Sequence, residues 1–258
     1  MIVTYESICI VFAYVFLENN SMKQVTNRFE RVDQARGIAI ALMILFHIYY
    51  SATNIFGFEN YVFSDDVWFY IGKISALLFI SIAWVSFYIA ERKYSDKIVN
   101  KYTKIIVQLS LISLGITWGT YFFIPDQLIL WWILHFFALS FLSMIFLRKL
   151  GYGNVFVAIL CFIMWFVTQN TFDWNLFFMF GFTNTSFASA DYYPLFPYLW
   201  VMLLWYVLWK YMFENNFEKI LVKKGKRDIL FLEYFGKHSL VIYVVHQPVI
   251  FWVLYVIR

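Results

Sequence analysis

Four ionisable side chains stand inside long apolar stretches of this chain: His47, Lys73, His135 and His246. Such groups are costly to place in a bilayer, and the default reason for their presence is function. A neutral imidazole at mid-membrane can take a proton from a hydroxyl or an amine, or hand protons along a relay. The first stretch adds a second group. Arg36 and His47 are eleven residues apart, which at about 100° per residue brings them within about 20° of one helical face. Asp33 falls within about 40° of His47 if the helix extends that far. That face can seat a phosphate-bearing cofactor, with Arg36 on its phosphates and its reactive end at His47. The same spacing serves equally well a topology anchor at Arg36 and a histidine bonded to a neighbouring helix.

Depth follows from helix rise. At about 1.5 Å per residue, His47 lies roughly 16 Å from the boundary marked by Arg36, and His246 about 14 Å past Lys237. Counting from the opposite side, His135 lies about 13 Å past Asp126 and Lys73 about 10 Å past Asp66. All four share a slab running from the midplane outward. Each also has a plainer reading. His135 can pack and bond a carbonyl across helices, and Lys73 can snorkel outward rather than orient an acidic acceptor. His246 precedes Gln247 and Pro248, and the proline frees a backbone carbonyl one turn back. Asp191 is either a helix-start carboxylate favoured by the dipole or a partner for a mid-membrane histidine.

These residues need membrane-crossing helices to hold them. Of the 20 Lys and Arg residues, 18 fall in Lys23–Arg36, Arg92–Lys104, Arg148–Lys149 and Lys210–Lys237. The alternate gaps carry Glu59, Asp65, Asp66, Asp126, Asp173 and Asp191 and no Lys or Arg. This is the positive-inside pattern, which places the basic stretches in the cytoplasm and Arg258 on the far side of the cell membrane. A spanning helix takes about 20 apolar residues. Seven stretches qualify: Gly37–Phe58, Val67–Ala90, Ile105–Pro125, Gln127–Leu147, Leu150–Phe172, Tyr192–Trp209 and His238–Ile257. The expected fold is therefore all-α, a polytopic transmembrane helix bundle of seven spans. Ile2–Leu17 is either an eighth, short helix or part of an extension ahead of a start at Met22. Residues 1–21 are thus set apart from a transmembrane domain of residues 22–258. Gln169–Tyr193 is expected to be an external, partly re-entrant segment.

Composition narrows the classes further. With 62% hydrophobic and 14% charged residues, the chain has no room for a second, soluble domain. Its net charge of +4 sits beside the spans, where topology and anionic lipid account for it without nucleic acid. Cys9 and Cys161 have no metal spacing and give no reason to expect a disulfide. Aromatic residues, 24% of the chain, crowd the outer ends as an interfacial belt or as a sugar-stacking rim. No fixed-period repeat is visible, which disfavours an inverted-repeat transporter.

Four blocks carry a family resemblance. Arg28-Phe-Glu-Arg-Val-Asp-Gln-Ala-Arg-Gly-Ile-Ala-Ile-Ala-Leu-Met-Ile-Leu-Phe-His47 resembles the first-helix signature of the heparan-α-glucosaminide N-acetyltransferase-like membrane proteins. Trp132-Ile-Leu-His-Phe-Phe-Ala-Leu-Ser140, Ala190-Asp-Tyr-Tyr-Pro-Leu-Phe-Pro197 and Phe235-Gly-Lys-His-Ser-Leu-Val-Ile-Tyr-Val-Val-His-Gln-Pro248 follow in family order. The Arg36–His47 spacing is also similar to that of the wider polysaccharide acyltransferase superfamily.

The resemblance implies acyl transfer from cytoplasmic acyl-CoA, most simply acetyl-CoA, to a sugar amine or hydroxyl on the extracytoplasmic side. It puts His47 in the catalytic position as general base and Arg36 in the paired position, with Arg31 beside it for the CoA phosphates. Asp33, Lys73, His135, Asp191 and His246 become candidate substrate contacts. No metal is implied, and a homo-oligomer is left open. In animal members an asparagine matches His47 and their histidine lies further on. Here Ile48–Phe63 contains no histidine, so either His47 takes the base role or the chemistry differs from that of the animal branch, and the animal acceptor does not carry over. The rival class is a proton-coupled sugar or anion exporter, which would use the same buried histidines as a relay.

Overall fold

The computed structural model describes residues 29–58, 64–123, 125, 128–168, 177–189, 191–217 and 230–258. The extension at residues 1–21 lies outside them. Helices α1 (Glu30–Tyr50), α2 (Asp65–Tyr94), α3 (Ile98–Phe123) and α4 (Ile133–Leu147) come first in chain order. They are followed by α5 (Asn154–Thr168), α6 (Leu195–Glu214), α7 (Leu230–Lys237) and α8 (Ser239–Ile257). Every predicted span overlaps one of these helices, and α7 is an added short helix within the last basic stretch.

Among the described residues, five stretches are long and apolar enough to cross a membrane: Glu30–Ile55, Asp65–Tyr94, Ile98–Phe122, Ile133–Thr168 and Ser239–Ile257. The fourth breaks into α4 and α5 at Gly151, whose φ of 53° lies in the left-handed region. The outward faces are apolar. Trp118 and Phe122 on α3, Phe156 and Phe166 on α5, and Trp252 and Tyr255 on α8 are all exposed. Faces of that kind suit hydrocarbon rather than water. The fold is that of an all-α, multi-pass integral membrane protein.

The described residues divide into two compact units, one within 29–82 and 230–258 and one within 83–217. In the first, α1 begins at Glu30, and its acidic first turn, Glu30 and Asp33, suits the positive end of the helix dipole. α7 packs directly onto α1 through two glycines. A Cβ on Gly37 would lie 2.1 Å from the carbonyl oxygen of Leu232, and one on Gly236 would lie 1.9 Å from that of Asp33. Small residues of this kind let helix backbones touch. α2 meets α1 where Gly72 lies under the ring of Phe46 and Ser75 Oγ donates to the carbonyl of Ala39 at 2.9 Å.

The second unit is organised by a buried aromatic core, Trp84, Phe87, Tyr102 and Phe141. Fully buried Asn154 closes the turn between α4 and α5, its Nδ2 donating to the carbonyls of Leu147 at 3.1 Å and Gly151 at 3.0 Å. Glu91 on α2 accepts from Tyr206 Oη at 2.9 Å and pairs with Arg148 at 3.4 Å, tying α6 to that turn. The segment before α6 is irregular over 177–189, with one short helical turn at Phe178–Phe180.

Candidate active site

The first unit brings together two of the three histidines that stand inside the predicted spans. α1 carries His47 and α8 carries His246, and their ring centroids are 4.9 Å apart. Shared depth was readable from helix rise; their lateral meeting is a product of packing. His246 Nδ1 lies 2.5 Å from the carbonyl oxygen of Tyr243. A carbonyl only accepts, so Nδ1 carries the hydrogen and Nε2 keeps its lone pair. That Nε2 is buried and has no hydrogen-bond partner among the described residues, although His246 itself is only 8% exposed. Buried polar atoms are nearly always satisfied, and an exception at a cluster of titratable groups points to chemistry.

Gln247 and Ser51 complete the cluster. α1 widens after Tyr50 into a π turn, Ser51–Ile55, which holds Ser51 fully buried. π turns recur at functional sites. Gln247 Nε2 lies 2.9 Å from His47 Nδ1, and Ser51 Oγ is 3.4 Å from Gln247 Oε1. Neither residue was among the sequence candidates. The signal for Gln247 was present, a polar amide next to His246 in an apolar span.

One helical face below, α1 extends back to Asp33 as the spacing required. Asp33 is buried at 3% exposure and accepts from Arg36 Nη1 at 3.0 Å. The same nitrogen donates to the carbonyl of Gly236 at 3.3 Å, so the glycine contact that joins α7 to α1 also seats the guanidinium. Gln34 donates to Glu233 at 3.0 Å, and Lys237 pairs with Glu233 at 3.6 Å. Arg31 is half-buried in the first turn of α1. It lies about 140° around the helix from Arg36.

At the opposite end of α1, a cleft of about 610 Å3 is lined by Tyr49, Asn54, Asp65, Asp66, Trp68 and Phe69, among others. Tyr49 and Trp68 stack with centroids 4.5 Å apart and planes 9° from parallel, and the Tyr49 phenol donates to Asp65. Lys73 Nζ sits 5.4 Å from the ring of Phe69. Its side chain thus reaches toward the acidic start of α2.

His135 and Asp191 belong to the second unit. Trp132 N–H donates to His135 Nδ1 at 3.5 Å, a helix-start contact, and the ring stacks on Trp131 at 5.0 Å. Trp131 bridges to Tyr192, its indole donating to the carbonyl of Tyr193 at 3.0 Å. The segments bearing His135 and Asp191 therefore run side by side.

The fold and site define an integral membrane protein with a paired-histidine centre, an arginine seated on the same helix and an aromatic, acidic cleft. The chain belongs to the heparan-alpha-glucosaminide N-acetyltransferase catalytic family, whose sequence profile matches residues 28–248. It is accordingly a membrane enzyme of acetyltransferase type. Searches of curated proteins and of solved structures returned no match.

Proposed function

We propose that this protein transfers an acyl group, most simply acetyl, from acyl-CoA in the cytoplasm to a sugar hydroxyl or amine on the extracytoplasmic side. The observation that carries this reading is the buried, unpaired Nε2 of His246 beside His47, in a chain of this family. His47 serves as general base and removes the acceptor's proton. The freed lone pair attacks the thioester carbonyl, the C–S bond breaks, and the proton passes to the departing thiolate. A thioester has a good leaving group, so positioning and deprotonation carry most of the barrier reduction. The lone pair on His246 Nε2 accepts a hydrogen bond from the acceptor and orients it.

The CoA phosphates are assigned to Arg36, prearranged by Asp33, with Arg31 contributing. The basic stretches then face the cytoplasm and Arg258 the outside. The acceptor is assigned to the cleft of Tyr49, Trp68, Asp65 and Asp66, where the outer face of a stacked aromatic pair suits the apolar face of a sugar. Lys73 stands beside it for an acidic group on the acceptor. Within the second unit, His135 and Asp191 are assigned an acceptor-binding role of their own, with His135 offering Nε2 because its Nδ1 is used by the helix start.

The test is calorimetric titration of acetyl-CoA into detergent-purified protein, wild type beside Arg36→Ala. The expected result is micromolar binding that weakens at least about tenfold in the variant, the loss of one charge-assisted contact. Folded wild-type protein that binds neither acetyl-CoA nor longer acyl-CoAs would overturn the reading.

A further inference from the structure

Among the described residues, protein engages one ring nitrogen of His47. Gln247 stands 2.9 Å from Nδ1, so Nε2 is the nitrogen left for chemistry. A base at Nε2 needs a lone pair there, which in a neutral imidazole requires the hydrogen on Nδ1. Nδ1–H in turn needs an acceptor, and the group at that point is the Gln247 carboxamide, drawn with Nε2 toward the ring and Oε1 toward Ser51.

The carboxamide can present either end. Its oxygen and nitrogen occupy equivalent positions, and the choice between them rests on the hydrogen-bond network around them. The neighbour at the other end is the Ser51 hydroxyl, 3.4 Å away, which can donate or accept and so suits both orientations. With the NH2 toward Nδ1, the ring carries its hydrogen on Nε2 and is no base there. With the carbonyl toward Nδ1, Nε2 is free, and the imidazolium formed during turnover keeps its Nδ1–H···O contact.

We propose that Gln247, itself held by Ser51 of the π turn, is the positioning residue of this site. Its side-chain carbonyl accepts Nδ1–H of His47 and so fixes Nε2 as the proton-accepting nitrogen. This rests on the acyl-transfer reading for its consequence in turnover, but the tautomer can be measured without turnover. His246 needs no such helper, since the Tyr243 carbonyl sets its tautomer from within α8.

The test uses full-length protein labelled with 15N-histidine in detergent micelles, with the four imidazoles assigned through single-histidine variants. Wild type should show His47 protonated at Nδ1 and bare at Nε2. Gln247→Glu, an acceptor toward Nδ1 when ionised, should keep the hydrogen on Nδ1. Gln247→Leu should release it into a mixture and lower kcat at least about tenfold with KM for acetyl-CoA unchanged, from lost orientation and lost tautomer together. A wild-type His47 bearing its hydrogen on Nε2 would overturn the proposal, as would a Leu variant with the wild-type tautomer. Should the Leu variant fail to fold, the wild-type and Glu spectra decide alone. Absence of acetyl-CoA-dependent turnover in wild type would strike the acyl-transfer reading and leave the tautomer result standing.

Discussion

Gly236 on α7 lies against the backbone of Asp33 on α1 so closely that a Cβ on the glycine would be 1.9 Å from the Asp33 carbonyl oxygen. The same contact gives Arg36 its second acceptor, the carbonyl of Gly236. Helix packing and the seating of the Arg36 guanidinium are thus one feature. Gly236→Ala should force the helices apart at a cost of about 1–3 kcal/mol, the usual range for overpacking. Thermal unfolding in detergent checks the stability. Acetyl-CoA affinity should fall in parallel, because the guanidinium loses its seat.

His47→Ala should lower kcat by roughly 10²-fold or more while acetyl-CoA binding and folding persist, since a general base contributes about 10²–10⁴-fold. Steady-state kinetics beside calorimetry separates the two quantities. Turnover at the wild-type level would remove His47 from the reaction.

The cleft predicts a different signature. Trp68→Ala removes one ring of the Tyr49–Trp68 stack and should raise KM for the acceptor several-fold, leaving donor affinity as it was. An unchanged acceptor KM would return these aromatic residues to the interfacial belt.

His135 separates a local from a functional role. Its Nδ1 contact to Trp132 N–H is of the helix-capping kind, and His135→Ala should cost about 1 kcal/mol of stability. As an acceptor contact it should also raise acceptor KM. A loss of stability alone would leave it a helix-start residue.

Helix rise along the chain is local, so the sequence determined the long helices and the position of each polar residue along them. Runs of apolar residues marked the spans, and the alternation of Lys and Arg with Asp and Glu ordered the gaps between them. The face shared by Asp33, Arg36 and His47 was also readable, because one helix carries all three. Which residue stands beside which across helices depends on contacts between positions about two hundred residues apart, and no local period encodes those. Tertiary packing alone therefore decided that His47 meets His246 and Gln247. It also decided that two glycines bring α7 onto α1.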